Sequence, residues 1–189
     1  MSEAVASPPR LGRARWWPSL LVTAVLAAVT FGGFGVGAAL SQPAGPAVVV
    51  AGVLRVQPLS GWELATRFDH PPGARLSRGN GNLDCAAVPF RGSALDLARE
   101  YVDQVLRPGA RRLSVSSSVE PVRLASGLTG IRFGYVGTFG RAQVQIEGEV
   151  TAVVSPNGVG VVFDGWAPAG LLQYVLDDIR TMVDTARIR

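Results

Sequence analysis
From Ala142 to Val154 every even position is apolar or glycine: Ala142, Val144, Ile146, Gly148, Val150, Ala152 and Val154. The odd positions are mostly polar: Gln143, Gln145, Glu147, Glu149 and Thr151. A period of two held this long predicts an antiparallel strand with one buried face. The flanking segments extend it into a meander. A two-residue turn at Gly140-Arg141 would pair Phe139 with Ala142. It would also set Tyr135 opposite Ile146, Phe133 opposite Gly148 and Arg132 opposite Glu149. Downstream, Asn157-Gly158 is a type I′ hairpin signal that would pair Val161 with Val154 and Phe163 with Ala152.

Two segments carry helical periodicity instead. Ser93–Leu106 opens with Ser93 and Asp96 at capping-box spacing and places Ala94, Leu97, Ala98, Tyr101 and Val105 on one face. Pro108-Gly109 ends it. Pro168–Ile188 carries the stripe Leu172, Val175, Ile179, Met182, Val183 and Ala186, with Asp177, Asp178, Arg180 and Asp184 mostly off it. This helix is expected to lie across the apolar sheet face.

Shorter strands are predicted at Val53–Gln57, after the turn in Pro58–Phe68, and at Leu83–Val88. Another spans Leu113–Val119, is interrupted at Glu120-Pro121 and resumes over Val122–Ala125. His70–Asn82, with its Pro, Gly and Asn, reads as a loop. The expected fold class is therefore α+β, an antiparallel sheet of about six strands packed with two main helices.

A different pattern governs the beginning of the chain. Ser19–Leu40 contains no charge. As a helix at ~1.5 Å per residue it would be roughly 33 Å long, enough to cross a bilayer. Arg10, Arg13 and Arg15 precede it, and the next charge is Arg55. The positive-inside rule then puts the tail in the cytoplasm and the following domain outside. Trp16 and Trp17 fall at the expected interface. The competing reading is a cleaved signal peptide, with Gly37-Ala38-Ala39 as the processing site, although the apolar run exceeds the ~7–15 residues of a signal core. The expected organisation is a basic tail (1–18), a transmembrane helix (19–40), a linker (41–52) and an extracytoplasmic α+β domain (53–189). Gly33 and Gly37 form a small-xxx-small pair that could pack two anchors into a weak homodimer. Glycine is common throughout this chain, and that is the simpler explanation of the pair.

Composition narrows the chemistry. The chain carries +4 overall, but from Ser41 on it has 15 Arg against 13 acidic residues and no Lys. No basic run is interleaved with aromatics, so a nucleic-acid surface is not expected. Cys85, the only cysteine, lies in the apolar run LDCAAV and reads as a buried thiol, without a disulfide. His70 is the only histidine and reads as a solvated loop residue. No catalytic, cofactor-binding or metal-binding residue is assigned.

The pattern Pro58, Gly61, Trp62, followed by a strand pair, a helix, long hairpins and a closing helix, resembles the Mog1/PsbP-like α/β proteins. The stretch EGEVTAVVSPNGVGVVFDGWAP resembles membrane-anchored exported domains of actinobacteria. This resemblance, over about Val53–Arg189, implies a non-catalytic binding or assembly role and carries over no catalytic residues.

The predicted register collects Arg132, Gln143, Gln145, Glu147, Glu149, Thr151, Asp164 and Trp166 on the polar sheet face. That face reads either as a solvated outer surface, the common outcome for an amphipathic sheet, or as a partner surface. Under the second reading its candidates are Arg132, Glu147, Glu149 and Asp164, with Trp166 as aromatic anchor. The functional expectation is a membrane-tethered extracytoplasmic binding or assembly domain of the cell envelope, with a membrane span and an envelope protein or ligand as partners. The alternatives are an envelope small-ligand carrier or enzyme, which would need a concave pocket of roughly 300 Å³ or more, lined by Trp and with Arg or a carboxylate inside, or an accessory subunit of a secretion or lipid-transport complex.

Overall fold
The computed structural model describes residues 45–140 and 142–189. The expected span Ser19–Leu40, with Gly33 and Gly37, lies outside them. Among the described residues no helix is long and apolar enough to cross a membrane.

Among the described residues there are eleven strands and two helices. In chain order they are β1 (Val48–Val50), β2 (Leu54–Val56), β3 (Glu63–Asp69), β4 (Pro72–Arg78), β5 (Gly81–Pro89) and α1 (Ala94–Tyr101). α1 runs on through a π-turn, Val102–Leu106, and a last turn, Arg107–Gly109. Then come β6 (Ala110–Val115), β7 (Glu120–Arg123), β8 (Thr129–Phe139), β9 (Val144–Val154), β10 (Val159–Pro168), a 3₁₀ turn (Leu172–Tyr174), α2 (Leu176–Asp184) and β11 (Arg187–Ile188). The main sheet has the order β3-β4-β5-β10-β9-β8-β6, and β7 pairs with β8 beyond β6. A small sheet β1-β2-β11 joins the two ends of the domain.

The main sheet is covered on both sides. On one side α2 and the small sheet meet Leu76, Leu83, Cys85, Val153, Val161 and Phe163. On the other, α1 and its π-turn cover Phe133, Tyr135, Val150, Ala152 and Val162 through Leu97, Ala98, Val102 and Leu106. The expectation of a single buried face is thus corrected. The apolar run Val161-Val162-Phe163 supplies both cores from adjacent residues.

The two hairpin predictions fail differently. The β8–β9 loop is two residues longer than predicted, so Phe139 pairs with Val144, Tyr135 with Gly148 and Arg132 with Thr151. A shift of two keeps every side chain on its expected face. The β9–β10 loop is one residue longer than Asn157-Gly158 alone. Ser155 faces Val159 across Pro156-Asn157-Gly158, with Gly158 at φ +76°. This is a three-residue loop with glycine in the left-handed position. Val161 then pairs with Val153 and Phe163 with Thr151. A slip of one turns the whole of β10 over, so Asp164 and Trp166 lie with Val150 and Gly148, away from Arg132 and Glu149.

Four local expectations are also corrected. His70–Asn82 is not a loop throughout. Pro72–Arg78 is strand β4, in which Ala74 and Leu76 are buried and Gly73 leaves room for the Phe68 ring. Proline is tolerated at a strand's first residue. Val48–Val50, within the stretch read as a linker, is a paired strand. Glu120-Pro121 does not interrupt a strand but starts β7; the break falls at Ser116–Ser118, where the Ser116 hydroxyl accepts from the Ser118 amide at 3.1 Å. Pro168–Ile188 is not one helix: Gly170 at φ +81° precedes a 3₁₀ turn, α2 holds nine residues, and the chain ends in β11.

The apolar stripe of α2 nevertheless packs as expected, with Ile179, Met182 and Val183 buried. α1 is capped as expected: Asp96 N donates to Ser93 Oγ at 3.1 Å and Ser93 N to Asp96 Oδ2 at 3.1 Å. Val105, expected on the buried face, is exposed, because the π-turn carries Val102 and Leu106 inward instead.

Candidate functional site
Three features could carry function: a polar network under α2, a polar network under α1, and an apolar groove beside α1.

Under α2, Arg132 of β8 is 7% exposed. Its Nε donates to Thr151 Oγ1 at 3.1 Å and lies 3.3 Å from Glu149 Oε1; its second amino group reaches Asp184 at 2.7 Å. Arg180 of α2 grips Glu149 with two further bonds, at 3.0 and 2.5 Å, and this hold raises its pKa above the usual guanidinium value. Buried charges persist only when paired in this way. The network fastens α2 to the sheet. Glu147, on the same side, accepts from the Gly170 amide at 3.0 Å.

The Trp62 side chain makes a second fastening to α2. Gly61 at φ +79° and the Leu59–Trp62 turn set the ring into the core, where its Nε1 donates to Asp178 at 3.0 Å. Arg78, whose guanidinium lies 5.9 Å from the Trp62 ring centroid, pairs with the same carboxylate.

Under α1, Asp164 of β10 is 4% exposed. Tyr101, the last residue of α1, donates to one carboxylate oxygen at 2.7 Å, and Tyr135 of β8 to the other at 2.9 Å. The Tyr135 ring reaches Asp164 by crossing β9 directly over Gly148, where any Cβ would overlap it. Burial pushes the Asp164 carboxyl up to about 7, the neighbouring Asp84 adds to the rise, and the two tyrosine hydroxyls and Arg75 oppose it. Burial likewise raises both phenols.

Asp84 lies directly opposite Asp164 and is held by Arg75 through bonds of 2.6 and 2.7 Å. Trp166 Nε1 also donates to Asp84, at 3.2 Å, and the Arg75 guanidinium lies 5.1 Å from the Trp166 ring centroid. This Arg75–Asp84–Trp166 cluster is partly open to solvent.

The sequence-predicted partner residues are therefore divided. Arg132, Glu147 and Glu149 lie on the α2 side, and Asp164 and Trp166 on the α1 side. Tyr101 and Tyr135 were expected only as packing residues, and Asp84 and Arg75 were not singled out from sequence. A hint lay in Gly148, a gap in the apolar period opposite an aromatic strand.

The groove runs between α1 and the β6–β7 connection. Leu95, Ala98 and Val102 form one wall, Val115 and Val119 the other, and Phe133 the floor, enclosing about 400 Å³. Arg99, Asp103 and Arg107 stand at its rim, with Asp103 and Arg107 paired at 3.2 Å. Leu95, Val115 and Val119 are each more than a third exposed. The space exceeds what a small-ligand pocket requires, but no tryptophan lines it.

Cys85 is buried, and burial raises its thiol pKa far above the usual range; His70 is exposed. Among the described residues no three His, Cys, Asp or Glu side chains gather as a metal site.

No family model and no curated protein sequence matches the chain. Solved structures do. The cyanobacterial PsbP protein (CyanoP) of Synechocystis sp. PCC 6803 aligns with a TM-score of 0.54 at 14% identity, covering 72% of this chain and 86% of that one. LpqN, involved in cell envelope biogenesis of Mycobacterium tuberculosis, aligns with a TM-score of 0.51 at 12% identity, over 71% and 82%. The Saccharomyces cerevisiae Ran-binding protein Mog1p aligns with a TM-score of 0.54 at 11% identity, over 78% and 96%. The antiparallel sheet flanked by two helices described above is thus the Mog1/PsbP-like α+β fold.

Proposed function
We propose that this chain is a membrane-tethered, extracytoplasmic, non-catalytic domain of the cell envelope that binds a protein partner through the apolar groove beside α1. The groove carries the proposal: it gathers exposed Leu95, Val115 and Val119 around a Phe133 floor, where a partner's apolar side chain would be desolvated. The polar clusters support a structural role for the charged residues, because each charge is taken up by a partner within the chain. Asp84 is held by Arg75 and Trp166, Glu149 by Arg132 and Arg180, and Asp164 by two tyrosines.

The tether rests on sequence: the uncharged Ser19–Leu40 behind three arginines. Two structural neighbours support in kind the binding and the envelope parts of this reading. One is described as Ran-binding and the other as involved in cell envelope biogenesis.

The test has two arms. Protease treatment of intact cells should remove the C-terminal domain, and its survival until lysis would refute the topology. Val119→Asp should leave the fold intact but lose proteins crosslinked to the full-length chain in membranes; an unchanged set would refute the groove. The size of the groove also favours a second reading, a carrier of a small apolar ligand. Native mass spectrometry of the purified full-length chain would decide for it if an organic mass is retained, and lost in Val119→Asp.

A further inference from the structure
Beside the apolar contacts of Leu97, Ala98, Val102 and Leu106, one buried acid ties α1 to the sheet. Asp164 sits under the C-terminal end of α1, and Tyr101, which bonds it, is the residue at which the α-helix gives way to the π-turn. π-turns inside helices occur frequently at functional sites. The following residues, Val102 and Asp103, line the groove. The groups facing Asp164 are Tyr101 from α1, Tyr135 from β8, Asp84 from β5 and, through Asp84, Arg75 from β4; β9 contributes only Gly148 and Val150. Among the described residues no cation bonds Asp164 directly; the nearby Arg75 is committed to Asp84. A charge on Asp164 is therefore met by two hydroxyls and opposed by burial and a second carboxylate.

We propose that Asp164 is a proton-operated latch: with the acid protonated α1 stays seated on the sheet, and with the acid ionised α1 lifts more readily, admitting water to the carboxylate and widening the groove. The consequence for binding rests on the groove reading above; the latch itself does not. The direction follows from linkage. A group that binds its proton more tightly in the closed state than in the hydrated one makes opening easier as pH rises between the two pKa values. With the closed value at about 7 and a hydrated aspartate at about 4, the opening equilibrium rises about tenfold per pH unit across that interval and levels off above it.

Hydrogen exchange of the full-length chain, corrected for the intrinsic pH dependence of exchange, reads this without any partner. The amides of Leu97–Leu106 should show an opening equilibrium that climbs from pH 4 to pH 7 and then flattens, while strand amides on the α2 side, such as those of β4, open far less at every pH. Asp164→Asn should remove the climb. Should that variant fail to fold, Tyr101→Phe removes one of the two bonds that favour ionisation, so its plateau should begin at a higher pH. A flat profile in the parent protein, or the same climb in α1 and β4 alike, would overturn the latch while leaving the groove standing.

Discussion

Gly148→Ala is the sharpest single test of the packing described above. The added methyl would overlap the Tyr135 ring, which crosses β9 over this glycine. The ring must move. Forcing one extra carbon into a packed site costs about 1–3 kcal/mol. Moving the ring also breaks the 2.9 Å bond from Tyr135 to Asp164, leaving the 4%-exposed acid with Tyr101 alone. A bond to an ionised group contributes about 1.5–3 kcal/mol. The two costs trade against each other, because a ring that swings away relieves the overlap, so the expected loss is about 3 kcal/mol. Against a whole-domain stability of about 5–15 kcal/mol that is a large effect. Urea unfolding of the full-length chain at pH 8, followed by tryptophan fluorescence, measures it. The control is Tyr135→Ala, which removes the ring. In that background Gly148→Ala should cost little, giving a coupling of about 2 kcal/mol or more. Additive effects, within about 0.5 kcal/mol, would show that the ring does not occupy the place vacated by the missing side chain.

Three further outcomes are expected. Because the folded-state pKa of Asp164 lies above its unfolded value, its contribution to stability is fully present below pH ~4 and is lost as pH rises to about 7, at most ~1.4 kcal/mol per unit; unfolding midpoints of the parent chain should fall over that range relative to Asp164→Asn, and parallel curves would refute the assignment. Arg132→Ala should destabilise by about 2–4 kcal/mol, somewhat less than a fully orphaned buried charge, since Glu149 keeps Arg180 and the half-exposed Asp184 can turn to water; a neutral result in urea unfolding would contradict the network, and this cost makes Arg132 unsuitable as a surface probe. The Cys85 thiol should resist a thiol-reactive dye until the chain unfolds, so labelling of the native protein would contradict its burial.

The strand β9 was legible because polar and apolar residues alternate along it, and a strand with that contrast declares its own face. The β8–β9 loop could be misjudged by two residues without consequence, since a shift of two preserves the faces. β10 offered no such contrast. Val161, Val162 and Phe163 are apolar on both sides, so pairing through a two-residue turn or through Pro156-Asn157-Gly158 looks equally good in sequence. The unbroken apolar run was itself the signal that both faces are buried. That one residue decided where Asp164 and Trp166 lie, and so divided the predicted surface. α1 was legible from its cap and stripe, but its π-turn was not, because nothing in VDQVL distinguishes it from an ordinary helical turn. The Arg75–Asp84 and Tyr101–Asp164 contacts join residues from distant strands and from a helix, and only the assembled sheet brings them together.

Site-specific photocrosslinking in intact cells tests the binding role most directly. A crosslinker at Val119 should capture a discrete envelope protein, the adduct should vanish when Val115 is also changed to Asp, and none should form from Val136, an exposed valine on the opposite side of the sheet. Equal adducts from Val119 and Val136, or none from Val119, would contradict the groove as the place where this domain meets its partner.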